Sequence, residues 1–210
     1  MRVFAVCLLI AGFGWTHTVS SQDRPRPRVP PGQRVIRDFP LLHYSSVPEL
    51  DRNTWRLVIG GKVKRPMTLT WAEFSSLPSI QPVSDYHCVT GWTRLDNHWT
   101  GVRIRDVLAR SEPLDSARWV SFVGADEYKT TLSLAQCQGD DDILAYQWEG
   151  RDLTRETGGP VRAVLPGKYA YKSALWVIRI EVTQTEEDGY WESRGYSRTA
   201  DPWTEDRYSK

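Results

Sequence analysis

A chain of 210 residues, 40% hydrophobic and 25% charged, is long enough for one domain with a core of its own. Its 27 basic residues stand against 26 acidic ones, a net charge of +1. That balance gives no electrostatic reason to expect nucleic acid, and with an ordinary hydrophobic fraction it argues against a disordered chain. Ten Trp, nine Tyr and five Phe point to an aromatic core or an aromatic-lined surface, and three Cys are too few for a disulfide scaffold.

In chain order, Met1 and Arg2 precede an apolar run from Val3 to Trp15, followed by small residues up to Ser21. This is the three-part pattern of a cleavable export signal over residues 1–21; the run is short for a membrane span, and no twin-arginine pair precedes it. The expected location is therefore periplasmic or secreted. Residues 22–38, rich in Pro and Arg, predict an extended, solvated linker, so the domain is expected over 39–210.

Trp55–Gly61 reads as a strand closing on a Gly-Gly turn. Thr70 to Glu73 matches a capping box, with Pro78 ending the short helix that follows. Gln81–Cys88 reads as extended, and the stretch after Cys88 as a loop leading into a helix over Arg103–Ser111, whose Ile104, Val107 and Leu108 share a face. Strands are expected at Ala117–Val123, Glu127–Leu132, Ile143–Trp148, Val161–Leu165 and Ala174–Thr183. Strands without an alternating βα rhythm predict a strand-rich mixed α+β domain. After Glu186 the aromatic, aperiodic tail, with Tyr190, Trp191, Tyr196, Trp203 and Tyr208, is expected to fold back as a strap or to face a ligand.

With the signal removed, Cys88 and Cys137 remain, and in an oxidising compartment they pair or stay as buried thiols. His87 and Cys88 are neighbours on an extended segment and point to opposite faces, which disfavours a shared zinc ion. The sequence has no CxxCH, no GxSxG, no HExxH and no Gly-rich phosphate loop. Cys88, at the end of an extended run near Arg94 and Arg103, is placed to act as a thiolate for a soft metal. The tryptophans also allow a stacking surface for sugars or aromatic ligands.

Five segments in order carry a resemblance: FPLLHYSSVPELDRNTWRLVIGG from Phe39, DYHCVTGWTRLDNHWTGVRIRDVL from Asp85, ILAYQWEG from Ile143, GGPVRAVLPGKYAYKSALW from Gly158, and GYWESRGYSRTADPWTEDRY from Gly189. Over Phe39–Tyr208 the chain resembles the molybdopterin-binding domain of sulfite-oxidase-type oxidoreductases, in particular the short bacterial members built of this domain alone. The resemblance implies an enzyme whose molybdopterin cofactor transfers an oxygen atom to or from a small substrate, sulfite-like, a sulfoxide or an N-oxide. It implies Cys88 as the molybdenum ligand and Tyr146 as the active-site tyrosine. His43, Tyr44, Thr157, Arg162, Lys172 and Ser173 fall where relatives hold the cofactor, Arg162 on its phosphate.

The chain departs from the family pattern at Leu42, Thr157 and Leu175, where relatives carry arginine, His or Asn, and lysine. Arg94 is then the candidate cation for an anionic substrate. A separate electron-transfer protein, a cytochrome or a membrane-bound partner, is implied, and a monomer is expected. A cofactor-free binding protein on the same fold is the alternative.

Overall fold

The computed structural model describes residues 26–209, so the expected signal over 1–21 lies outside the described residues. The elements run β1 (Arg34–Ile36), β2 (Arg56–Gly61), β3 (Met67–Thr70), α1 (Trp71–Ser75), β4 (Ser79–Ile80), β5 (Val83–Cys88), β6 (Trp92–Arg103), α2 (Ile104–Ser111), β7 (Trp119–Gly124) and β8 (Lys129–Ser133). They continue through β9 (Ile143–Trp148), β10 (Arg151–Asp152), β11 (Arg162–Val164) and β12 (Val177–Thr183), with single 3-10 turns at 134–137, 170–172, 192–194 and 202–204. One sheet has the order β3-β2-β12-β7-β8; the other is built around β6, which pairs with β1, β4, β5 and β9, while β10 and β11 pair with β9. This is the expected strand-rich α+β domain.

Local rules account for most of these elements. In β2, Leu57 and Ile59 are buried while Arg56 and Val58 face solvent, the period of two that a half-buried strand requires. Gly61 ends it at φ +88°, where a Cβ would stand 2.1 Å from the Val182 carbonyl oxygen, so the turn excludes any side chain. The capping box is present: Thr70 Oγ1 accepts from the Glu73 amide at 3.2 Å, and Glu73 Oε2 accepts from the Thr70 amide at 2.7 Å. Helix α2 buries Ile104, Val107, Leu108 and Ser111.

Two cores result. Leu57, Ile59, Phe74, Ile104, Phe122, Leu132 and Ile180 fill one, around the five-stranded sheet. Tyr86, Cys88, Trp92, Trp99, Ile143, Ala145 and Val164 fill the other. Strand β9 separates them, sending Leu144 and Tyr146 to the first and Ile143 and Ala145 to the second.

Two expectations are corrected. The stretch after Cys88 is not a loop into a helix: the chain turns at Val89–Gly91 and returns as β6, a strand of 12 residues. Register shifts opposite Ser84–Tyr86 and at Thr100–Gly101 break the period-two pattern that would have revealed it. The Pro/Arg-rich segment is not a solvated linker over residues 26–38, because β1 pairs in parallel with Trp92–Arg94. Arg28 forms an ion pair with Asp85 at 2.8 Å, and Trp203 Nε1 donates to the Pro27 carbonyl at 2.7 Å. Of the two alternatives for the cysteines the structure has the buried thiols: Cys88 and Cys137 are free and lie in different cores, and burial pushes the Cys137 thiol up.

The tail is the expected strap. Tyr196 bridges to Tyr208, the Ser197 amide donates to the Arg207 carbonyl at 3.0 Å, and Arg198 pairs with Asp188 at 2.7 Å.

Asp142, ahead of β9, is held by the Gly139 amide at 3.0 Å, yet burial pushes its carboxyl up to about 6. A carboxyl raised in the fold costs stability above about pH 6, and that cost fades as pH falls toward 4. Asp142→Asn should therefore gain about 1–3 kcal/mol in urea unfolding at pH 8, and its curve should converge with wild type near pH 4.

Candidate active site

The end of β5, the start of β11 and the 170–176 segment meet the arm 39–44 and the strap around a cavity of about 230 Å³. Of the expected residues, Cys88, Arg162, Ser173, His43 and Tyr44 line it. Cys88 is the last residue of β5, and its Sγ accepts a hydrogen bond from Thr90 Oγ1 at 3.1 Å. The tight turn that follows is closed by the Gly91 amide on the Cys88 carbonyl at 3.0 Å, with Gly91 at φ +91°.

Arg162 opens β11 opposite Ala145 and is 2% exposed. Its Nη2 donates to the Tyr86 hydroxyl at 2.7 Å and its Nη1 to the Thr157 carbonyl at 3.0 Å. The guanidinium lies 5.3 Å from the Tyr86 and Trp99 ring centres and 5.7 Å from that of Phe39. Among the described residues no carboxylate pairs with it, and Nε has no partner. A buried cation without a counter-charge is the donor set for an anion, which a guanidinium receives with two parallel bonds.

Tyr86 shares the face of Cys88, two residues along β5. Burial raises its phenol, and the neighbouring Arg162 charge acts against that rise. Ser173 Oγ accepts from the Leu165 amide at 3.1 Å, fixing the turn beside Arg162. His43 Nε2 lies 2.7 Å from the Glu156 carbonyl oxygen, with its ring 5.1 Å from Trp176. The Tyr44 hydroxyl donates to the Asp126 carbonyl at 3.2 Å, and its ring lies 4.0 Å from that of Tyr190. These contacts hold the arm against the cavity.

The other expected residues stand elsewhere. Tyr146 faces the opposite side of β9 and packs edge-on against Trp71 and Phe74, because alternation along the strand gives the cavity side to its neighbour Ala145. Lys172 is fully buried and bonded to Glu192, with a second bond to the Thr131 carbonyl at 2.8 Å; burial lowers its ammonium while Glu192 acts to raise it. Arg94 is tied to Glu149 at 3.0 Å and lies over Trp148 at 4.8 Å, away from the cavity lining. The Thr157 hydroxyl turns to the Thr154 carbonyl at 3.1 Å, and only its backbone serves Arg162.

Sequence reasoning missed Tyr86, Thr90, Tyr128, Tyr171 and Trp176, all in the cavity wall. The i, i+2 spacing of Tyr86 and Cys88 was the one available signal. The tail folds back as the expected strap and supplies Trp191 and Tyr196 to the cavity wall. His87 turns away from Cys88 to Thr93 Oγ1 at 2.9 Å, as adjacent strand positions require.

No group of three or more His, Cys, Asp or Glu is arranged to hold a metal among the described residues. A metal at Cys88 would thus take one donor from the chain and the rest from a ligand it arrives with. A single thiol beside an anion-receiving guanidinium, in an aromatic-walled cavity, defines a pocket for an anionic metal cofactor. Residues 44–191 match the family described as the oxidoreductase molybdopterin binding domain, and the chain belongs to it.

It is 38% identical to the uncharacterized oxidoreductase YuiH of Bacillus subtilis, over 87% of this chain and 92% of that one. It is 24% identical to the catalytic subunit MsrP of the protein-methionine-sulfoxide reductase of Campylobacter jejuni, over 71% of this chain and 56% of that one. The crystal structure of the sulfane dehydrogenase SoxCD from Paracoccus pantotrophus shares the fold, with a TM-score of 0.63 and 23% identity over 68% of this chain and 41% of that one. The protein is a molybdopterin-dependent oxidoreductase. The residues present fit the group, a soft thiolate for the metal and a free guanidinium for the anion.

Removing one partner of a buried ion pair costs about 3–5 kcal/mol, and removing both costs far less. Lys172→Met should lose about that much in denaturant unfolding, Lys172→Met/Glu192→Leu should recover most of it, and both should keep wild-type molybdenum per folded chain. Arg162→Gln should lower that metal content instead.

Proposed function

We propose that this chain is an exported oxidoreductase that moves an oxygen atom to or from a small uncharged substrate, a sulfoxide or an N-oxide, with Cys88 as the molybdenum ligand. The observation that carries the reading is the convergence of Cys88 and the unpaired guanidinium of Arg162 on one cavity. When bound, the molybdenum–pterin group supplies the two-electron centre for oxygen-atom transfer. Cys88 gives the metal a thiolate, and Arg162 takes the anionic phosphate. His43, Tyr44 and Ser173 line the same cavity, where they would bound the pterin.

Selection of an uncharged substrate rests on the cavity wall. Leu41, Leu42, Trp191 and Tyr196 line it, and they offer no charge. Arg94, the other candidate cation, is engaged by Glu149. A sulfite-like anion would therefore meet no free cation beyond the one assigned to the cofactor. The similarity to a protein-methionine-sulfoxide reductase subunit supports a sulfoxide.

Export is inferred from the apolar run after Arg2. The chain has no CxxCH for haem attachment, so we assign electron delivery to a separate redox protein, a cytochrome or a membrane-bound partner. The enzyme acts as a monomer in this reading.

Expression in a molybdopterin-producing host tests it. Wild type should carry close to one molybdenum per chain, and Cys88→Ser should fold but lose it; equal metal in the two would overturn the reading. Leu42→Arg should raise kcat/KM for sulfite relative to an alkyl sulfoxide by roughly 10–100-fold, the worth of a hydrogen bond to a charged group.

A further inference from the structure

The turn after Cys88 is held more firmly than a surface turn needs. The Gln33 side-chain amide donates to the Cys88 carbonyl at 3.2 Å, and the Arg34 amide donates to the Gly91 carbonyl at 3.0 Å. From the other end of the chain, Arg207 donates to the Val89 carbonyl. These three contacts come from residues on either side of the family match at 44–191. Together they fix the backbone from Cys88 to Gly91, and so the direction in which the Thr90 side chain leaves it.

That direction is back over the sulfur. Thr90 Oγ1 lies 3.1 Å from Cys88 Sγ and lines the cavity. A hydroxyl donates to a thiolate sulfur through its hydrogen and leaves the sulfur's other lone pairs for a metal. Hydrogen bonds to a ligating sulfur draw electron density from the metal and favour its more reduced state.

We propose that Thr90 is a positioning residue for the Cys88 ligand, its hydroxyl raising the reduction potential of the bound molybdenum. This rests on Cys88 being the metal ligand. Within the cavity lining, Thr90 is the residue that hydrogen-bonds Sγ among the described residues.

The test compares holoenzyme of wild type, Thr90→Val, Thr90→Ser and Cys88→Ser by elemental analysis and by redox titration of the Mo(V) electron paramagnetic resonance signal. Valine keeps the shape and removes the donor; serine keeps the donor. Expected are unchanged molybdenum in both Thr90 variants, a potential moved to more negative values in Thr90→Val, and a return toward wild type in Thr90→Ser. The same potential in wild type and Thr90→Val, with molybdenum retained in both and lost in Cys88→Ser, overturns the role of Thr90 and leaves the ligand reading standing. Wild type without molybdenum, or a Cys88→Ser protein that retains it, overturns both.

Discussion

The uncompensated charge of Arg162 is the constraint around which the second core is arranged. Three aromatic faces lie within cation–π range of the guanidinium, each worth about 0.5–2 kcal/mol. A buried ion costs several kcal/mol, so the rings and two neutral hydrogen bonds offset the burial only in part. The remainder is supplied by whatever anion binds. A residue that is costly in the empty fold and satisfied in the loaded one places part of the stability of the domain in its ligand. Part of the aromatic richness of the chain has its reason here: Phe39, Tyr86 and Trp99 wall a cation, to which aliphatic side chains would offer no attraction.

The second organising fact is the division of labour along β9 and β5. Strand alternation sends Ala145 to the cavity core and Tyr146 to the other core, and it puts Tyr86 and Cys88 on one face with His87 on the other. The phenol within reach of the guanidinium is therefore Tyr86. Its hydroxyl accepts from Arg162 at 2.7 Å and lies 3.4 Å from the Ala170 carbonyl. Ser173, three residues further, belongs to the same turn. One tyrosine thus joins the strand carrying the thiol, the strand carrying the guanidinium and the turn closing the cavity.

Elements with an unbroken period or a complete cap were legible in the sequence. Strand β2, the Thr70–Glu73 box, α2 and β9 each follow from residues within a single element. Strand β6 was not, because bulges reset its alternation, and β1 was not, because three residues are too few to show a period. The site divided along the same line. Resemblance marks individual positions, and Cys88 and Arg162, read that way, line one cavity. Lys172 and Arg94 were misplaced because a cation's partner is a long-range fact: Glu192 lies 20 residues from Lys172 and Glu149 lies 55 from Arg94. Tyr86 could have been read from its i, i+2 spacing to the cysteine.

These partners bear on the departures from the family pattern. Leu175 lines the cavity without a charge, Thr157 offers Arg162 its backbone and turns its hydroxyl away, and Lys172 is neutralised by Glu192. Three positions that could have surrounded an anion thus add no free charge to Arg162. In the proposed reading the cofactor is then held at two points of different chemistry, a soft thiolate at the metal and one guanidinium at the phosphate. Affinity resting on a single buried charge pair is screened little by salt, since the pair lies out of reach of the ionic atmosphere. In that reading cofactor retention is concentrated on Cys88 and Arg162, and the rest of the wall, mostly aromatic and apolar with the carboxylates of Asp126 and Glu156, is free to select the substrate.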